Sequence, residues 1–121
     1  RARIVSGVKM VIEASGLVKE LRDADLVFTG EGRLDSQTAF GKVPAGVAAR
    51  AKKLGVPVIA IAGSLGKGYE AVYKKGVTSV MTITQGPVSL EESMARAKPL
   101  ITDAAERAMR LFISGLAADK R

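Results

Sequence analysis

Residues 25–62 decide the fold. Asp25-Leu-Val-Phe-Thr29 runs into Gly30-Glu-Gly-Arg-Leu-Asp-Ser-Gln-Thr38, and after a helical stretch the chain returns as Pro57-Val-Ile-Ala-Ile-Ala62. A brief apolar run ending at glycine reads as a buried strand, so 25–29 and 57–62 are two strands with a loop over 30–41 after the first. Between them Pro44 suits the first turn of a helix, where its missing N–H is not needed. Val47, Ala51 and Leu54 give that helix one buried face. Lys52 and Lys53 fall in its last turn, where cations favour the dipole, and Gly55 stops it. Strand, helix, strand with short links is the right-handed βαβ unit of a parallel sheet.

The pattern extends both ways. Upstream, Ile4, Val5, Val8, Val11 and Ile12 form a stripe that predicts an amphipathic helix over 4–14, and Leu17–Arg22 follows as a second short helix after Ser15-Gly16. Downstream, Gly63 to Gly66 is a loop, Tyr69–Lys75 a short helix closed by Gly76, and Ser79–Thr84 a third strand. Ser89 with Glu92 forms a capping box. The long helix it opens has Met94, Ile101, Ala104, Ala108, Leu111 and Phe112 on its expected buried side, and Pro99 should kink or split it. The class is α/β: a three-layer, mainly parallel sheet of about three strands with flanking helices, forming one domain or partial domain over 1–121. Both sheet edges are expected to be open. Ligands of such sheets bind at the carboxyl ends of the strands, where the loops 30–41, 63–68 and 84–88 converge.

Composition narrows the chemistry. The 121 residues contain neither cysteine nor histidine. That excludes Cys/His zinc sites, cysteine nucleophiles and a Ser-His-Asp triad. The net charge is +7, but the basic residues are scattered and aromatics are few, so a solvated surface that attracts small anions is expected and a nucleic-acid partner is not. The longest apolar run, Val56 to Ala62, is too short for a bilayer, and no leader is visible, so no membrane partner and a cytoplasmic location are expected. The first residue is Arg1 and not methionine, which suggests a processed or truncated piece.

The segment 29–38 carries the chemistry. Gly30 and Gly32 let backbone approach a ligand closely. Arg33 can grip a carboxylate or phosphate with two parallel hydrogen bonds. Glu31 and Asp35 could hold Mg²⁺ beside phosphates, or one could accept a proton from an attacking hydroxyl. Ser36, Gln37 and Thr38 offer further polar contacts, and Lys42 opens the next helix, whose N-terminus attracts anions. The run is not G-x-G-x-x-G, because Asp35 takes the third glycine's place, and Gly63 to Lys67 is not a Walker A loop. A plain βα turn with surface charges stands beside the site reading.

The stretch DADLVFTGEGRLDSQTAFGKVPAGVAARAKKLGVPVIAIAGSLG, Asp23 to Gly66, closely resembles the bacterial glycerate kinase family, with its TGEGR-[LI]-DSQ, GKVP, GVA and PVI-x-IAGSL segments. Gly76 to Phe112 looks like the same family's C-terminal end, including a SLEE-type helix start; Pro99 is a departure. The resemblance implies ATP-dependent phosphorylation of glycerate to a phosphoglycerate with Mg²⁺, in a longer enzyme of two α/β domains around a cleft. The family's glycine-rich GGSATNDGG-like loop has no counterpart here. The chain is therefore expected to be a C-terminal part, inactive alone, that pairs with the missing N-terminal part or with itself.

Within that reading Arg33 holds the glycerate carboxylate or the transferring phosphoryl group, against a surface ion pair with Asp35 as the plain alternative. Asp35 is a proton acceptor or Mg²⁺ ligand, against a loop cap that bonds its own backbone. Glu31 is the second metal candidate and Lys42 a phosphate contact. Gly30, Gly32 and Gly41 shape the loop, and Gly63 and Ser64 line the same cleft. A non-catalytic binding or assembly module that keeps the fold is the alternative function.

Overall fold

The computed structural model describes residues 17–39 and 43–119. The helix expected over 4–14, and Gly41 and Lys42, lie outside the described residues. The elements are α1 (Leu17–Arg22), β1 (Val27–Leu34), a 3-10 turn (Ser36–Ala39), α2 (Val43–Lys53), β2 (Val58–Leu65), α3 (Ala71–Lys74), β3 (Ser79–Thr82), α4 (Leu90–Ala95) and α5 (Ala97–Asp119). The three strands form one sheet in the order β1-β2-β3, and both pairings are parallel.

The strand ends correct the sequence reading. β1 starts at Val27 and does not stop at glycine: Gly30 and Glu31 pair with Ile61 and Ala62, and Arg33 and Leu34 pair with Ser64 and Leu65. Gly30 to Leu34 of the expected loop are therefore strand. β2 likewise runs through Gly63 and Ser64 to Leu65. β3 ends at Thr82 and α3 is shorter than 69–75. Glycine costs a strand some stability but remains in it where another backbone comes close.

Apolar side chains fill both faces of the sheet. On one face Leu21, Leu34, Ala48, Ala51, Val58 and Val72 join α1, α2 and α3 to the strands. On the other, Ile61 and Ile83 meet Leu100 and Ala104 of α5. The small residues Ala48, Ala51, Ala60 and Ala62 leave little side-chain bulk between α2 and the sheet. Gly55 and Gly76 follow α2 and α3 with φ of 71° and 113°, values that side chains resist.

Ser89 caps α4 by accepting a hydrogen bond from the Glu92 N–H at 3.1 Å. The helix then breaks at Arg96, and Pro99 takes the third position of α5. There its missing N–H costs nothing, because first-turn N–H groups have no intrahelical acceptor. The predicted buried side of this helix is corrected in part. Ala104 and Ala108 are buried with Leu100, whereas Met94, Ile101 and Leu111 are exposed, at 70%, 48% and 68%. Phe112 is half-buried, and Leu54 of the α2 face is exposed too. A helix of 23 residues is about 34 Å long. Three strands spaced about 4.8 Å apart are too narrow to cover it. On α5, the Arg107 guanidinium hydrogen-bonds Asp103 at 2.8 Å and, aided by Gln85, holds that carboxyl below its ordinary range.

Candidate functional site

A cleft of roughly 1020 Å³ opens at the carboxyl ends of β1 and β2. Its sheet side is Gly30 to Arg33 and Ile61 to Ser64; its helix side is Leu90, Met94 and Ile101. Along β1, Phe28, Gly30 and Gly32 are exposed and Val27, Thr29 and Glu31 half-buried. On the open face of β1 the two glycines thus bare peptide backbone to the cleft in place of side chains.

Two charged groups mark its rim. Glu31 accepts a hydrogen bond from the Gly32 N–H at 3.2 Å. Arg33, its side chain 65% exposed, holds its Nε 3.6 Å from Oδ2 of Asp35. At that exposure the pair contributes little stability, so the guanidinium stays available for an anion. Asp35 is engaged further. Its Oδ1 accepts from the Gln37 N–H at 2.9 Å and, more distantly, from the Thr38 hydroxyl at 3.5 Å. The Asp35 N–H in turn donates to Thr38 Oγ1 at 3.1 Å. Asp35 and Thr38 thus cap each other across the 3-10 turn, as Asp does at turn starts.

The structure therefore brings Gly30, Glu31, Gly32, Arg33, Gly63 and Ser64 together on one cleft. Asp35 stands beside it through Arg33. Ser36 and Gln37 are exposed on the following turn, outside the cleft lining, and Thr38 is fully buried. Among the described residues no group of three or more acidic side chains could hold a metal ion. One oxygen of Asp35 faces Gln37 and Thr38 and the other faces Arg33. Glu31 is the carboxylate that lines the cleft.

Sequence reasoning missed how tightly the next loop underlies this segment. A Cβ on Gly63 would come 2.8 Å from the Gly32 carbonyl oxygen. One on Gly66 would come 2.7 Å from Nη2 and 2.8 Å from Nε of Arg33, and 3.0 Å from Cβ of Asp35. One on Gly68 would meet Cβ of Ser36 at 2.9 Å. Backbone bonds join the same segments: Gly66 N–H to the Leu34 carbonyl at 2.6 Å, and Ser36 N–H to the Lys67 carbonyl at 3.2 Å. The available signal was glycine recurring at 63, 66 and 68 after a neighbouring strand that already carries Gly30 and Gly32. The apolar wall of Leu90 and Met94 was missed because Met94 was placed on the buried side of one long helix and Leu90 was given no place.

Backbone bared at adjacent strand ends of an open parallel α/β sheet lies where ligands of such sheets bind. The chain belongs to the glycerate kinase family, whose profile matches residues 1–113. It is 48% identical over 104 residues to glycerate kinase of Halalkalibacterium halodurans, covering 86% of this chain and 27% of that protein. It is 44% identical over 92 residues to glycerate 2-kinase of Escherichia coli K12, covering 76% of this chain and 24% of that protein. A crystal structure assigned to glycerate kinase 2 of Salmonella typhimurium LT2 aligns with TM-score 0.62 and 40% identity, over 91% of this chain and 28% of that one. The chain thus spans about a quarter of the length of the relatives it matches.

Proposed function

We propose that this chain forms part of the active-site cleft of an enzyme that phosphorylates glycerate with ATP. The observation that carries this reading is the meeting of bare backbone at Gly30, Gly32 and Gly63 with Arg33 on one cleft. Phosphoryl transfer is chiefly positioning and neutralisation of charge. Arg33 binds the glycerate carboxylate or the transferring phosphoryl oxygens, and the glycine backbone lets the anion approach without a side chain between. Mg²⁺ arrives with ATP, and Glu31 is the side chain on the cleft that would contact it. Asp35 positions Arg33 and holds the turn of Ser36, Gln37 and Thr38. Lys42 is proposed as a phosphate contact. A piece of this length holds part of the cleft and does not turn over alone.

Calorimetric titration with Mg-ATP, and separately with glycerate, tests the reading. Arg33→Ala should weaken binding of one of them about tenfold to a hundredfold, as loss of a charge-assisted hydrogen bond of roughly 1.5–3 kcal/mol implies. Equal affinity for both ligands in wild type and variant would sink the role of Arg33.

Partner pairing rests on a different surface. Among the described residues β1 is an edge strand. Beside its Phe28, the α5 residues Phe112, Ile113 and Leu116 line an apolar groove. Open edges next to apolar surface favour association. The isolated chain should show an average mass above the monomer by light scattering, rising with concentration. A monomeric mass throughout would count against pairing.

A further inference from the structure

We propose that Gly66 is a positioning residue for Arg33, because a side chain there would occupy the space in which the guanidinium rests. The inference builds on the proposed role of Arg33 and goes beyond it to what fixes that group. Arg33 is mostly exposed and has a single ion-pair partner among the described residues, Asp35 at 3.6 Å. A long side chain so placed loses rotamer entropy when it is held in any one geometry. A Cβ on Gly66 would stand 2.7 Å and 2.8 Å from two guanidinium nitrogens. The guanidinium therefore lies directly on the backbone of Gly66.

Gly66 itself is held in register from both sides. Its N–H donates to the Leu34 carbonyl at 2.6 Å, and its carbonyl accepts from the Tyr69 N–H at 3.2 Å. The platform under Arg33 is thus tied to the residue that follows Arg33 in β1. Gly66 is not among the positive-φ glycines, which are Gly55, Gly68 and Gly76. Alanine there meets no positive-φ strain. Its tightest clashes are with the movable end of Arg33, and only the 3.0 Å approach to Asp35 Cβ involves a stiffer atom. Gly66→Ala should accordingly leave the fold intact and displace the guanidinium.

The experiment is a double-mutant cycle of Gly66→Ala and Arg33→Ala, with two readouts. The first needs no ligand: the Arg33 Nε–H resonance in a ¹⁵N correlation spectrum at mildly acidic pH, with thermal unfolding recorded alongside. The second is titration with Mg-ATP and with glycerate. Gly66→Ala is expected to shift the Arg33 resonance while the unfolding midpoint stays within a few degrees. It is expected to weaken the ligand that Arg33→Ala weakens, about tenfold, and to cost nothing further once Arg33 is gone. A resonance that stays in place overturns the inference. So does an equal loss of affinity from Gly66→Ala with and without Arg33, which would mean that the glycine acts through the backbone. If Arg33→Ala binds both ligands as wild type does, the proposed function fails at Arg33, and the resonance alone decides whether Gly66 places it. Should Gly66→Ala not fold, Arg33→Lys combined with it is decisive. A narrower ammonium head clears the added methyl, so restored folding supports the guanidinium seat and continued misfolding overturns it.

Discussion

Leu34→Ala is expected to destabilise the chain by about 2–5 kcal/mol, the usual loss for a leucine truncated in a packed core. Leu34 is completely buried and belongs to the cluster that joins β1 to the helices on one face of the sheet. It is also the last residue of β1, and its carbonyl receives the Gly66 N–H at 2.6 Å. Its immediate neighbours are Arg33 on the cleft and Asp35 on the turn. A cavity here loosens the point where the core hands over to the site. The loss should appear in urea unfolding as a lower midpoint, at a stability where domains hold only about 5–15 kcal/mol in all. Ligand affinity should fall with it. A midpoint within error of wild type would show that Leu34 is not a core anchor.

Gly76→Ala is expected to be the most damaging glycine substitution in the described chain. The added Cβ would lie 2.5 Å from the Ala48 carbonyl oxygen and 2.9 Å from its carbon. Both are backbone atoms inside α2, which cannot swing aside. The φ of 113° adds strain of its own. Overpacking and backbone strain each cost about 1–3 kcal/mol, so a combined loss of about 3–5 kcal/mol is expected. Two other glycines separate the causes. Gly55 shares the positive φ, at 71°, but has open space around its Cβ position; Gly86 has open space and no positive φ. Alanine should therefore cost least at 86, more at 55 and most at 76. Equal midpoints for the Gly55 and Gly76 variants would remove the clash with Ala48 from the explanation.

The sheet was legible because its cause is local. Short apolar runs separated by a helix with a marked start and stop leave few arrangements besides parallel βαβ. The strand ends were not legible, because glycine carries two meanings. Gly30 and Gly32 read as a turn, yet they stay in the strand, and only the neighbouring strand reveals why. The close approach of Gly63 to the Gly32 carbonyl is a contact between residues 31 positions apart. Leu111 and Met94 fit an apolar helical stripe, but a stripe says which side is apolar and not whether anything covers it. Of the candidate site, Glu31 and Arg33 were readable from their types beside glycine. A loop cap by Asp35 on its own backbone was open as an alternative, and the Gln37 N–H bond to Asp35 is of that kind; the part taken by Thr38 was not legible. Family membership came from the long string Thr29 to Gln37 with Gly41 to Pro44, not from any of these physical signals.

The glycines at 63, 66 and 68 lie against Gly32, Arg33 and Ser36 like a mould against its cast. These two short segments pack as one unit, though 26 positions of helix and strand separate Ser36 from Gly63. A crossover between two relatives anywhere in that interval would unite a cast from one parent with the mould of another. Chimeras joined before residue 32 or after residue 68 keep the matched pair, so the packing of these two segments should survive there, whatever the helix wall of the cleft contributes.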